Sequence, residues 1–371
     1  SNREAPEVVD RLYRDAELAS TVAAWRLPTI SRYWSGLAKG LTRCWLWWNL
    51  RGLSSVEGLQ NLIAPNLARM IDRTSRFTVT GLQKFDLRKV RLYLSNHRDI
   101  VMDPAYANYA LHRNGSRTLA IAIGDNLLSK PWIADLMRLN KSFVVKRNVS
   151  GPRALLAASK SLAGFIRQSV DQNIDPIWIA HRDGRAKDGK DQTDPAVIKM
   201  LAMARDRKET PEEVLGSLNI VPLVISYELD PCDYLKAAEL ATGEGYTKAE
   251  FEDVASIGIG ITGHKGCVHL HFGDLLQKNL NVEGVVRAVD EQMCIYYRLF
   301  RTNIWAWEWL YDKPIPDGIE YHTGCVSESV FRERIVAAPN EHRDWMLRMY
   351  ANPVSRAMER MSNNEDSQFD R

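Results

Sequence analysis

Between residues 77 and 225 short β-type runs alternate with helical patterns, and this constrains the fold more than any other feature of the chain. Phe77-Thr78-Val79-Thr80 reads as a strand ended by Gly81. Val90, Leu92 and Leu94 then alternate with Arg91, Tyr93 and Ser95, the period of a partly buried strand. Further strand signals fall at 117–123, 142–145, 176–180 and 220–225, and helical patterns at 105–112, 131–138, 152–169 and 195–206. Such alternation predicts an α/β fold, with a mostly parallel or mixed central sheet flanked by helices. Residues 3–30 and 56–72 are helical in pattern, as are 282–301 and 341–361. The expected layout is an N-terminal helical region at 1–75, an α/β domain at 76–275 and a C-terminal helical region at 276–371. Its end, 362–371, is polar, acidic and expected to be mobile.

Charge and cysteine content narrow the setting. A formal net charge of +3 over 371 residues, with no long basic run, gives no support for a nucleic-acid partner. Five scattered cysteines suggest reduced thiols and a cytoplasmic address. No stretch approaches the roughly 18–20 apolar residues a membrane-spanning helix needs. Residues 25–51 are unusual: Trp25, Trp34, Trp45, Trp47 and Trp48 lie among Arg26, Arg32, Lys39, Arg43 and Arg51. Tryptophan interleaved with cations suits a surface lying at lipid headgroups, and tryptophan also suits packing of a helical subdomain onto a main body. Trp305, Trp307, Trp309 and Tyr311 follow at every second position near the C-terminus, and they could pack on the N-terminal helices or touch lipid.

Two stretches carry the chemistry. The strand at 90–95 runs into Asn96-His97, with Asp99 and Asp103-Pro104 following and a helix after Pro104. A histidine at the carboxyl end of a strand occupies the ligand crevice of an open α/β sheet. Its ring takes a proton near neutral pH, and a neighbouring carboxylate can fix its tautomer. The second stretch is the loop at 181–189, which carries Arg182, Asp183, Gly184, Arg185 and Lys187 after a buried strand. Arginine presents a fork of donors that fits phosphate oxygens, and glycine allows close backbone approach. Lys146-Arg147, after another strand, adds two cations. In a parallel sheet these strand ends would share one rim.

The chain resembles the glycerolipid acyltransferases, the lysophosphatidic acid and glycerol-3-phosphate acyltransferases, over roughly residues 75–275. Asn96-His97-Arg98-Asp99-Ile100-Val101-Met102-Asp103-Pro104 is similar to their first motif, and Phe143-Val144-Val145-Lys146-Arg147 to the second. Arg182-Asp183-Gly184-Arg185 resembles the third motif and Ile220-Val221-Pro222 the fourth, in the same order. The resemblance implies transfer of an acyl group from acyl-CoA or acyl-carrier protein to a hydroxyl of glycerol phosphate or a lysophospholipid. His97 would be the general base, Asp103 its orienting partner, and Arg147, Arg182, Asp183, Gly184, Arg185 and Lys187 the acceptor's phosphate site. No cofactor or metal is implied, and the expected address is peripheral, on the inner face of the membrane. Five residues separate His97 from Asp103 where the family usually has four, a spacing similar to that of a bacterial branch. If fully helical, one added residue turns the carboxylate by roughly 100°, so Asp99 stands as a rival partner. The third motif has Asp183 in place of glutamate and lacks a residue between Gly184 and Arg185. A catalytically idle, acyltransferase-like lipid-binding protein is the alternative reading.

Other patterns are weaker. Gly258-Ile259-Gly260-Ile261-Thr262-Gly263 matches G-x-G-x-x-G, but a strand-like run follows it, so a β-hairpin is expected rather than a dinucleotide site. Cys267, His269 and His271 alternate onto one strand face near Asp274, the raw material of a distant third reading, a metal-dependent hydrolase. Neither G-x-S-x-G nor a Walker A sequence is present.

Overall fold

The computed structural model describes residues 5–53, 55–128, 130–146, 149–249 and 252–369. Its strands are β1 (Arg76–Thr80), β2 (Leu92–Ser95), β3 (Ala120–Gly124), β4 (Ser142–Val145), β5 (Ile177–Ala180), β6 (Ile220–Tyr227) and β7 (Cys267–Phe272). The chain forms two compact units, residues 1–68 with 120–151 and residues 69–119 with 152–371.

In the first unit the helices Ala5–Arg14, Ala16–Arg26, Pro28–Tyr33, Ser35–Leu50 and Pro131–Leu139 accompany the parallel pair β3–β4. Val8, Val9, Leu12, Leu46, Leu50 and Leu139 form its apolar centre. Arg11 clamps the buried Asp135 with two bonds of 2.8 and 2.7 Å. The helix Ser35–Leu50 buries Ala38, Thr42, Leu46 and Leu50, one residue per turn. Leu37, Leu41, Trp45 and Trp48 on this helix stay exposed, as does Trp34 just before it. The tryptophans at 34, 45, 47 and 48 are therefore not core residues, while the side chains of Trp25 and Arg26 lie outside the described residues.

In the second unit five strands run in the order β1-β7-β6-β2-β5. β1–β7, β2–β6 and β2–β5 are parallel, and β6–β7 is antiparallel, so the sheet is mixed. All eight residues of β6 are buried, which explains why Ile220–Ile225 reads as a continuous apolar run rather than an alternation. The helices Met102–Arg113, Pro152–Asp171 and Pro195–Leu201 follow their strands where the periodicity places them. The helices Arg301–Tyr311, Glu328–Ala337 and Asn340–Phe369 build a second core around Phe331, Met346 and Tyr350.

Several expectations need correction. The glycines at 258–263 do not make a hairpin; Gly258 and Gly260 lie in the helix Glu252–Thr262. Gly260 serves close packing, since a Cβ there would fall 2.1 Å from Asp99 Oδ2. The strand expected at 117–123 begins at Ala120, because Arg117 turns out to cap backbone carbonyls of Asn173, Ile174 and Arg88. Trp305 and Trp309 pack on Phe331 in the C-terminal core, not on the N-terminal helices. The last helix continues to Phe369, through most of the segment expected to be mobile.

Candidate active site

β2 delivers Asn96-His97 to its carboxyl end, and Asn96 fixes the exit. Its fully buried amide accepts from Ile225 N (2.8 Å) and donates to Ile225 O (2.9 Å) on the neighbouring β6, and to Asp191 Oδ2 (3.1 Å). His97 thus stands just past the carboxyl ends of the parallel strands β2 and β5, beside the longer β6. Its Nδ1 lies 2.9 Å from Asp103 Oδ2. Because an ionised carboxylate only accepts, Nδ1 carries the proton and Nε2 is left as the basic nitrogen.

Asp103 is almost wholly buried, and all its partners are donors. Oδ2 also accepts from the amides of Arg98 (2.6 Å) and Asp99 (2.9 Å), while Oδ1 accepts from the Tyr227 hydroxyl (2.7 Å). Four donors offset the cost of burying the carboxylate and hold it in one orientation. The turn at 98–101 absorbs the additional residue between histidine and aspartate, and the helix starts only at Met102. Asp99 caps that start, its Oδ1 accepting from Val101 N (3.0 Å) and Met102 N (2.8 Å). Burial, and then the charge of Asp103, raise its pKa, favouring the neutral acid. Of the two rival carboxylates, Asp103 meets the ring. The edge-on ring of Trp178 on β5 flanks His97 at 5.4 Å.

The loop after β5 is tied to the same turn. His181 N donates to Ser95 O and Ala186 N to His97 O, both at 2.8 Å. Arg98 and Asp191 form a buried ion pair of 2.6 Å beneath it. Burial alone would lower the arginine's pKa, but the charge of Asp191 outweighs it and the guanidinium is held charged. Arg98 Nη2 also reaches Gly189 O (3.3 Å), and the buried Lys236 donates to Arg98 O (2.6 Å). Gly189 has φ +79°, and a Cβ there would meet Met349 O at 2.1 Å, so only glycine fits. Burial lowers the pKa of His181 to about 4, so it stays neutral.

The loop's cations are not equivalent. Lys187 is paired with Glu239, and Arg182 donates to Lys190 O (3.2 Å). Arg185 is half-buried and makes no hydrogen bond or ion pair among the described residues. Asp183 is exposed beside Gly184, whose φ of +70° makes the turn. Arg147 lies outside the described residues, and Lys146 belongs to the first unit. Ile220-Val221-Pro222 sits inside β6, with Pro222 opposite Leu94.

Tyr227, Asp191, Trp178 and Lys236 were not singled out in the sequence. Tyr227 and Trp178 are hidden in apolar strand runs, and Asp191 and Lys236 look like ordinary surface charges until the fold buries them. The proposed face of Cys267, His269 and His271 does not assemble as a metal site. His269 is held by Thr78 (2.8 Å) and Thr80 (2.9 Å), and His271 by Thr80 (2.7 Å) and a stack on Tyr296.

A His–Asp dyad thus lies at the carboxyl ends of parallel strands, beside a loop that carries Arg182, Arg185 and Lys187. Residues 76–180 match the acyltransferase family model. A comparison with curated proteins finds no match. Among solved structures, the chain is similar to the 1-acyl-sn-glycerophosphate (LPA) acyltransferase PlsC from Thermotoga maritima. That match has 14% identity and a TM-score of 0.37 and covers 75% of this chain and 94% of that one. Chloroplast FtsY from Physcomitrella patens matches with 14% identity and a TM-score of 0.21, covering 78% and 94%.

Proposed function

We propose that this protein transfers a fatty acyl group from a thioester, acyl-CoA or acyl-carrier protein, to a hydroxyl of a glycerol-phosphate or lysophospholipid acceptor. The observation that carries the reading is the His97–Asp103 bond beside a loop whose Arg185 makes no hydrogen bond or ion pair among the described residues. His97 Nε2 removes the acceptor's hydroxyl proton as the oxygen attacks the thioester carbon. The C–S bond then breaks, and the proton passes from the imidazolium to the leaving thiolate, giving an ester and a free thiol. Asp103 stabilises the imidazolium throughout. Arg185 takes the acceptor's phosphate, with Arg182, Asp183, Gly184 and Lys187 shaping that subsite. The reaction needs no cofactor.

The proposed address is the inner face of the membrane, with residues 76–275 as the acyl-transferring body between the helical regions 1–75 and 276–371. No described helix is long and apolar enough to cross a membrane. The stripe of Trp34, Leu37, Leu41, Trp45 and Trp48 is exposed, and Arg32, Lys39, Arg43 and Arg51 lie exposed around it. No Asp or Glu occurs from residue 18 to 56. An amphipathic helix with these two properties binds an anionic lipid surface.

The test is an assay of purified protein with acyl-CoA and acyl-carrier protein against a panel of lysophospholipids, glycerol phosphate and non-phosphorylated analogues. Thioester-dependent ester formation on a phosphorylated acceptor is the expected result. Tight lipid binding without turnover on any pair would make the chain a lipid-binding protein instead.

A further inference from the structure

We propose that Glu228, Cys267 and Cys325 form a binding site for a thiophilic divalent cation of the zinc class. The three residues come from three segments: the position after β6, the first residue of β7, and the stretch before the helix Glu328–Ala337. Their ligand atoms all lie within 4.8 Å of one another. Cys325 Sγ is 3.3 Å from Glu228 Oε2. A tetrahedral zinc ion with the usual Zn–S and Zn–O lengths separates two such ligands by about 3.5 Å, so the cluster already has nearly the right size.

The carboxylate is set in place by the backbone. Glu228 is fully buried, Oε2 accepts from Cys267 N (2.7 Å), and Oε1 accepts from Cys325 N (2.9 Å) and Val326 N (2.8 Å). These bonds orient a metal-binding carboxylate as surrounding donors do in known sites. Space is kept open by two glycines with positive φ. A Cβ on Gly266 would lie 2.4 Å from Oε2, and one on Gly324 would lie 2.0 Å from Oε1.

Charge and access also fit. Arg76 and Arg298 line the cavity of about 230 Å³ that opens on Cys267 and Gly324. One carboxylate and two thiolates around a dication leave a net charge of −1, which these guanidinium groups face. Thiols bind the ion as thiolates, so an entering ion releases two protons to water as two metal–sulfur bonds form. Cys325 is exposed and gives the ion its entry path. Water takes the fourth position. The bound ion would staple the ends of β6 and β7 to the segment at 323–326. It would sit one residue from Tyr227, which holds Asp103.

The experiment uses the full chain, stripped of metal and kept reduced with a phosphine, and titrates it with Co²⁺ and then with Zn²⁺ in competition. The expected result is one Co²⁺ per chain with a thiolate-to-cobalt charge-transfer band that Zn²⁺ abolishes. Cys325→Ser and Cys267→Ser should each weaken binding by about tenfold or more. Zn²⁺ should raise the melting temperature of the wild type and not that of Cys325→Ser, an exposed substitution that leaves the ion-free fold intact. Absence of the band in the wild type overturns the proposal. So does a band unchanged in both serine variants, which would assign binding to Cys44, Cys232 or Cys294.

Discussion

Asp103→Asn separates the charge of the dyad from its shape. Three of the carboxylate's four donors, His97 Nδ1 and the amides of Arg98 and Asp99, converge on Oδ2, and only the Tyr227 hydroxyl meets Oδ1. An asparagine can place its carbonyl at the Oδ2 position and donate its NH₂ to the Tyr227 oxygen. The three bonds to the Oδ2 position are kept, while the negative charge and the acceptor of the buried Tyr227 hydroxyl proton are lost. Stability should therefore fall by about 1–3 kcal/mol, a few degrees in melting temperature for a chain of this size. The catalytic cost is larger. An imidazolium about 4 Å from the carboxylate, at an effective dielectric constant of about 20, is stabilised by about 4 kcal/mol, which corresponds to about a thousandfold in kcat/KM. Asp99→Asn is the control: its Oδ1 accepts from the amides of Val101 and Met102 and does not meet the His97 ring, and an asparagine carbonyl can accept the same two bonds, so the change should cost less than about tenfold. Steady-state acyl transfer and thermal melts on both variants give the comparison. The reasoning fails if folded Asp103→Asn stays within tenfold of wild type, or if Asp99→Asn is the more damaging change.

Arg185→Gln should raise the KM for a phosphorylated acceptor by roughly 10- to 100-fold, the scale of a charged hydrogen bond of about 1.5–3 kcal/mol. The KM for the thioester and the turnover of a non-phosphorylated acceptor should barely move, and equal loss on both acceptors would count against a phosphate site. Tyr227→Phe leaves one oxygen of Asp103 buried without a donor, making the carboxylate more basic. The acid limb of the pH profile of kcat/KM should shift upward and stability fall by about 1–3 kcal/mol, whereas an unmoved limb would show that Tyr227 does not tune the dyad. Burial lowers the pKa values of His181 to about 4 and His269 to about 3. The unfolded chain therefore binds more protons below about pH 6.5, and each histidine removes up to about 1.4 kcal/mol of stability per pH unit falling towards pH 4. Urea midpoints should drop between pH 7 and pH 5, and a flat profile would contradict the burial argument.

The mixed sheet and the placement of His97 at a strand end were legible in the sequence because both rest on local signals. Alternation in 90–95, the helix after Pro104 and the apolar run of β6 are decided within a few residues. What surrounds His97 is decided by distant pairings. Asp191 becomes a site residue only because Arg98 and Asn96 reach it across more than ninety positions of chain. Tyr227 reads as the last residue of a buried strand until its hydroxyl is seen on Asp103. The cationic loop was visible as composition, yet composition could not rank its members; the pairing of Lys187 with Glu239 does so. The G-x-G-x-x-G pattern misled for the opposite reason. Gly260 answers a tertiary demand, room for Asp99, within an ordinary helix.

The central claim, that His97 is the base of an acyl transfer, is tested most directly by single-turnover transfer with His97→Ala. Labelled acyl thioester and a phosphorylated acceptor are mixed with excess enzyme, and ester product is followed beside circular dichroism of the same sample. The account predicts a folded variant with no more than about a hundredth of wild-type product formation, since removing a positioned base costs about 10²–10⁴. A folded His97→Ala protein that keeps more than a few per cent of the wild-type rate would remove His97 from the mechanism.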